Sequence, residues 1–449
     1  MTGSNMHRPG ARVETSPQYR TQCMRLPYLL TCTAWLCLGM TQALAQTPTT
    51  AVDLTQPLLA SARLEPLDRF AQTLTTDRGY LGAVTLVARN GQIINWRAHG
   101  SRDLARTSPM KIDSIFRIYS MTKTIVSVAL LMLVEDGKLA LDDPIANYMP
   151  EFSAMQVFIG GTADTPELRP ARQPIRVRHL LTHTSGFATS GAAGDEAVKL
   201  FNRVDLHASP TLKDYARAVA KLPLAMEPGE RFNYDGVGLE LLSRLIELRS
   251  GLPMNIFLQQ RLLTPLGMKD TGFGVEAAKR DRIADMVTTD AQGHLQLDSG
   301  PSAKQPGAWL NPYPSGAGGL YSTAADYLRF CQMLLNGGSL DGRTILSPGS
   351  VDLMQTNQLG SAAIPAGALR PGDGFGFGGY VVLKSVPGSR PGSVGQFGWS
   401  GAGSTYYTID RQEKLVALLL MQHLPQNLPK DPPKVGSEFF GLVYQSLVK

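Results

Sequence analysis

The chain has 449 residues, 43% hydrophobic and 18% charged, with 43 Lys and Arg against 37 Asp and Glu. These proportions are those of an ordinary globular chain with ample core, and they exclude a collagen-like, disordered or membrane-saturated protein. Arg8, Arg12, Arg20, Arg25 and Glu14 lie in residues 1–45, so the remainder carries a formal charge of only +3. With no basic run or basic helix face, a nucleic-acid partner is not expected.

Residues 1–45 read as a signal peptide. Arg20 and Arg25 flank a mostly apolar stretch, Leu26 to Met40, and Ala43-Leu44-Ala45 forms a small-residue cleavage site before Gln46. Met24 is an alternative start, because Met24-Arg25 onward is a leader of normal length. The apolar stretch is too short to span a bilayer well, and Cys32 lacks a lipoprotein context. No stable membrane anchor is expected, and the location is periplasmic or secreted. Cys23, Cys32 and Cys37 fall in the leader, leaving Cys331 alone and no internal disulfide.

After a polar linker, Leu54 to Leu74 shows helical spacing. Ala83–Ala88 and Ile93–Trp96 flank Asn90-Gly91, a strong hairpin signal. Ile118 to Val134 then opens with Ser120 and runs apolar nearly all round to Gly137, which predicts a buried helix. Helices and loops follow: Val177–Leu181, Leu212–Leu222, and Leu239–Leu248 stopped by Gly251 and Pro253. Residues 281–312 read as a polar excursion with a turn at Gln292-Gly293. Thr323 opens the next helix, to Leu335, with Asp326 completing an acidic capping box. Phe375–Leu383, Ser404–Ile409 and Leu415–Met421 read as strands, and a last amphipathic helix carries Phe439, Phe440, Val443 and Leu447. The economical fold is α+β: an antiparallel sheet built from both chain ends with flanking helices and an inserted, mostly helical domain. The catalytic unit spans 46–449, its α/β part about 54–115 and 313–449 and its helical part about 116–312.

Ser120-Met-Thr-Lys123 carries the chemistry. Residues three apart share a helix face, so the Lys123 amine lies near the Ser120 hydroxyl where the helix leaves backbone N–H groups free. A serine needs help to attack a carbonyl, and a lysine supplies it when part of its amine is neutral. Ser108-Pro-Met-Lys111 and Ser446-Leu-Val-Lys449 share the spacing, but neither opens a buried helix. The alternative for Ser120 is a helix cap followed by a surface lysine.

Other stretches are weaker alone. Tyr234, in Pro228-Gly-Glu-Arg-Phe-Asn-Tyr234-Asp-Gly236, can relay a proton or merely pack. Gly398-Trp399-Ser400-Gly401-Ala402-Gly403 lets backbone N–H groups approach a ligand, or is only a turn. It misses Gly-x-Ser-x-Gly, and no such pentapeptide occurs, which argues against an α/β-hydrolase elbow. His179 and His183 have i,i+4 spacing but Leu180 stands where a zinc protease has glutamate, so their expected role is structural, with no metal and no cofactor. No acid is placed by the sequence to make His183 a triad base for Ser185.

Taken in order, these stretches resemble the serine β-lactamase-like hydrolases over about residues 55–449. The nearest groups are class C β-lactamases, D-alanyl-D-alanine peptidases and, closest, family VIII carboxylesterases. Ser120-Met-Thr-Lys123, Leu180-Leu-Thr-His-Thr-Ser-Gly186, Pro228–Tyr234 and Gly318-Gly-Leu-Tyr-Ser-Thr-Ala324 are similar to its ordered motifs. Trp399-Ser-Gly401 stands where the lactamases carry Lys-Thr-Gly. The resemblance implies a serine nucleophile at Ser120, proton transfer by Lys123 and Tyr234, an oxyanion hole from the N–H groups of Ser120 and Ala402, and substrate contacts at Trp399, Ser400 and Gly401. Two departures favour esters of small to medium acyl groups over β-lactams. Gly236 replaces an asparagine, whose amide is missing unless Asp235 substitutes, and Trp399 replaces the cation that assists recognition of the lactam carboxylate. The implied partner is a small-molecule ester. A lactamase, peptidase or amidase on cell-wall-like amides and a non-catalytic binding relative remain the alternatives. Oligomeric state is not legible.

Overall fold

The computed structural model describes residues 64–189 and 195–447. The leader reading of residues 1–45 and the first half of the Leu54–Leu74 helix lie outside them. What is described of that helix, α1, covers Glu65–Thr76, and Leu67, Phe70, Ala71 and Leu74 form its buried side.

A seven-stranded antiparallel sheet organises the molecule. Strands β1 (Gly82–Arg89) and β2 (Gln92–Gly100) form the expected hairpin, with Asn90 and Gly91 both at positive φ in its turn. The other five come from the far end of the chain: β3 (Asp373–Phe375), β4 (Tyr380–Val382), β5 (Phe397–Gly401), β6 (Thr405–Asp410) and β7 (Leu415–Leu420). Their spatial order is β3-β4-β5-β6-β7-β1-β2. Val84 lies opposite Leu420, so first and last strands close the sheet against each other. The glycines of the 375–383 stretch make a turn that splits it into β3 and β4, where a single strand was expected.

Helices cover both faces, which is why β7 is apolar without alternation. Leu415, Ala417 and Leu419 pack under α1 and the C-terminal helix, whose Phe439, Phe440 and Val443 share that cluster. Val416, Leu418 and Leu420 face the opposite way, into the main core. That core includes α2 (Thr122–Glu135) and continues without a break into α3 (Val177–Leu181), α4 (Leu212–Val219) and α5 (Val237–Ser250). Next comes α6 (Ala324–Leu335), and α7 is the C-terminal helix, Gly436–Leu447.

Chain breakers end these helices where the sequence places them. Gly137 has φ 65° after α2, and Gly251 has φ 73° after α5. The capping box of α6 is only half formed. Thr323 Oγ1 accepts the Asp326 N–H at 3.2 Å, but the Asp326 carboxylate turns to the Asp270 N–H and the Thr271 hydroxyl instead. The 281–312 excursion contains a small hairpin, Val287–Thr289 paired with Leu295–Leu297, and a short helix at Pro301–Lys304.

Candidate active site

Ser120 does not sit in the first turn of α2. It lies just ahead, in the 3₁₀ turn Tyr119–Met121, and α2 starts at Thr122. Tyr119 holds φ 42°, a left-handed conformation that bulky residues rarely adopt, so the turn bearing the serine is strained. Its foundations are firm. Ile118 N–H bonds the Leu320 carbonyl at 3.0 Å, and the Tyr119 hydroxyl meets Ser302 at 3.0 Å. Buried Arg117 donates to the carbonyls of Gly319 and Ala308 and to the Tyr321 hydroxyl. The Gly318–Ala324 motif therefore serves as the support of the serine turn.

Lys123, on the first turn of α2, is 4% exposed. Its Nζ donates to Ser120 Oγ at 3.1 Å and to the Ala317 carbonyl at 2.7 Å. The same nitrogen stands 5.1 Å from the centroid of the Tyr234 ring. Trp399 Nε1 donates to the Tyr234 hydroxyl at 3.0 Å, and the two rings lie 5.2 Å apart. Four of the residues named from the sequence thus form one connected group.

Strand β5 delivers the rest. Ser120, Tyr234, Trp399, Ser400, Gly401 and Ala402 all line one cleft of about 690 Å³. Gly401 is required by close approach: a Cβ there would come within 2.2 Å of the Ile118 carbonyl oxygen. The edge of β5 is thereby pressed against the backbone leading into Ser120.

His183 does not reach Ser120 through a triad. It is fully buried with φ 55°, and its ring lies tilted against the Tyr234 ring, 4.6 Å between centroids. The Asp235 N–H points to its Nδ1 at 3.3 Å, and burial holds the imidazole below the usual histidine range, hence neutral. His179 Nδ1 instead accepts the Arg176 N–H at 3.1 Å and caps α3. Both histidines therefore do structural work. Asp235 does not stand in for the missing amide. Its carboxylate accepts the Gly238 N–H at 2.7 Å and starts α5.

The sequence reading missed Glu240. This carboxylate is buried on α5, accepts the Ser315 hydroxyl at 2.5 Å and the Gly316 N–H at 2.9 Å, and so fixes the turn whose Ala317 carbonyl holds Lys123. Burial pushes it up to about 7, against the pull of those donors and of the Lys123 charge. One signal was available: an acid embedded among Leu239, Leu241, Leu242 and Leu245 of a core-facing helix. Arg370, Asp373, Arg390 and Lys434, which also line the cleft, lie in stretches that carried no motif.

A serine on a strained turn, a lysine on its hydroxyl and a phenol beside that lysine are the parts a serine acyl-transfer site requires. The Beta-lactamase family model matches residues 67–436. The chain belongs to the Beta-lactamase family. It is 37% identical over 358 residues to an uncharacterized protein of Mycobacterium tuberculosis, covering 78% of this chain and 88% of that one. It is 32% identical over 392 residues to Esterase EstB of Burkholderia gladioli, covering 83% and 92%. Among solved structures it resembles EstCE1, a hydrolase with promiscuous acyltransferase activity. The TM-score is 0.67 at 25% identity, covering 85% of this chain and 98% of that one. The α+β architecture expected from the sequence is that of this family.

Proposed function

We propose that this member of the Beta-lactamase family is a serine carboxylesterase working through an acyl-enzyme. The observation that carries the reading is the Lys123 Nζ at 3.1 Å from Ser120 Oγ, with Ser120 lining the same cleft as Trp399 and Tyr234. Ser120 Oγ attacks the ester carbonyl carbon, and its proton passes to the Lys123–Tyr234 pair. The carbonyl oxygen gathers negative charge, which the N–H groups of Ser120 and Ala402 stabilise. When the tetrahedral intermediate collapses, the C–O bond to the alcohol breaks and the pair returns the proton to the leaving oxygen. Water then attacks the acyl-Ser120 carbonyl by the same route in reverse roles, releasing the acid and restoring the hydroxyl.

The ester preference rests on Trp399. An indole cannot offer a cation to a lactam carboxylate, and Asp235 is spent on capping α5. A carboxylate brought into this end of the cleft would lose its hydration without a partner. We expect a short-chain nitrophenyl ester to exceed nitrocefin by about 10²-fold or more in kcat/KM, the scale of one or two lost polar contacts. Equal or faster nitrocefin turnover by purified protein would overturn the esterase reading in favour of a lactamase. We also propose export after removal of residues 1–45, to be checked by N-terminal sequencing of exported protein.

A further inference from the structure

The cleft has two unlike sets of lining residues. Trp399 and Tyr234, with Leu369 beside them, give it apolar and aromatic walls. The charged residues that line it are Arg370, Asp373, Arg390 and Lys434. Three cations therefore share one acid.

That acid is already engaged. Asp373, 2% exposed at its side chain, accepts both Arg390 Nε at 3.1 Å and Nη2 at 2.9 Å. Arg390 is further fixed by lying face-on over the Tyr380 ring, 3.3 Å from its centroid. This pair forms a rigid, neutral floor. Arg370 forms no ion pair among the described residues, and the Asp373 charge, shared with Arg390, is the acid that acts on it. Arg370 is exposed at the cleft rim, where desolvation by the surrounding protein and then the charge of Arg390 push its guanidinium below the usual arginine range.

Among the described residues, the acids close in sequence to Lys434 and at the nearby strand end already have partners. Glu438, on the first turn of α7, is held by Arg78. Asp431 accepts the N–H groups of Gln426 and Leu428, and Asp410 accepts the Tyr444 hydroxyl and the Ser393 N–H. The positive charge is thus a standing property of the cleft. A cleft that holds an uncompensated guanidinium offers a place for an anion, and a planar carboxylate suits its paired donors.

Building on the esterase reading, we propose that Arg370 makes an anion subsite in this cleft, and that the preferred substrates are esters carrying a carboxylate at a distance from the scissile bond. Trp399 and Tyr234 wall the reacting ester, while Arg370, with Lys434 lining the same cleft, takes the remote carboxylate.

The test uses matched pairs of nitrophenyl and phenyl esters. In one set the acyl chain ends in a carboxylate (mono-4-nitrophenyl succinate, glutarate and adipate) and is compared with neutral alkanoates of equal length. In the other the carboxylate sits on the leaving phenol. At low salt at least one anionic ester should exceed its neutral partner about tenfold in kcat/KM, through KM, and the preference should shrink as salt screens the charge. Arg370→Gln, on an exposed loop, should erase the preference and leave the neutral esters within about twofold. Neutral esters turned over as well as every anionic partner, or a preference that survives Arg370→Gln, would overturn the subsite while leaving the esterase reading intact. No turnover of any ester, with Ser120 unlabelled by a phosphonate, would sink the esterase reading and the subsite with it.

Discussion

The Trp399 indole N–H donates a hydrogen bond to the Tyr234 phenol oxygen at 3.0 Å. Trp399 is therefore wired to the candidate proton relay, beyond serving as an apolar wall. A donor on the phenol oxygen steadies the hydroxyl and favours charge on it during proton transfer. Tyr234→Phe should lower kcat for a short-chain ester by roughly 10²-fold or more, and Trp399→Phe, which keeps a ring and removes the N–H, by about tenfold. The double variant should lose no more than Tyr234→Phe alone, because both changes break one bond. Additive losses in steady-state kinetics would separate the two residues.

Ser120→Ala should abolish turnover and labelling by a fluorophosphonate. Lys123→Ala should cost on the order of 10³-fold in kcat, since it removes the group on the serine hydroxyl and opens a buried space beside Ala317. Circular dichroism and a thermal melt distinguish chemistry from unfolding. Near-full activity in either variant would move the nucleophile elsewhere, with Ser400 and Ser185 the next positions to test.

Glu240 makes stability depend on pH. Its folded value of about 7 lies above the 4.5 of an unperturbed glutamate. The folded state therefore holds the proton more tightly, and this residue's contribution to stability is greatest below pH 4.5 and declines as pH rises toward 7. The span corresponds to roughly 3 kcal/mol. Urea unfolding at about pH 5 and pH 7.5 should show Glu240→Gln gaining stability relative to the parent as pH rises. A constant difference between the two proteins would mean that Glu240 does not titrate in this window.

Gly401→Ala puts a methyl group 2.2 Å from the Ile118 carbonyl oxygen. Either β5 or the Tyr119–Met121 turn must give way, at a cost of about 1–3 kcal/mol. Because β5 borders the cleft beside Ser120, kcat should fall at least tenfold even where the melting temperature drops only a few degrees. The neighbouring exposed Ala402 provides the control: Ala402→Gly keeps its N–H and should stay within about threefold. Equal effects at the two positions would argue against a close fit at Gly401.

Much of this arrangement was legible because local signals and tertiary demands agree. Asn90-Gly91, Gly137 and Gly251 mark turns and helix ends that require positive φ. The nearly continuous apolar run of α2 announces a helix buried all round, and Ser120 at its mouth points to the candidate site. What stayed hidden depends on distant partners. The Asp326 carboxylate is drawn from its own helix by the Asp270 N–H and the Thr271 hydroxyl, which spacing cannot foresee. The pairing of Trp399 with Tyr234, and of Glu240 with Ser315, joins residues 165 and 75 positions apart. Residue type suggested a role for the first pair only through a resemblance. The second left just one trace, an acid in an apolar row.

The sheet that closes Val84 against Leu420 also sets a schedule for synthesis. The β1–β2 hairpin emerges early from the ribosome, carrying Val84 and Leu86 and an open edge that only β7 fills. At roughly 5–20 residues per second, that edge waits tens of seconds for its partner. During this interval it is a template for pairing with other chains. Contacts of such long sequence range also fold slowly once present. A nascent chain halted at residue 404 would contain Ser120, Lys123, Tyr234 and Trp399, yet lack β6 and β7, the two strands that tie Trp399's strand to the hairpin.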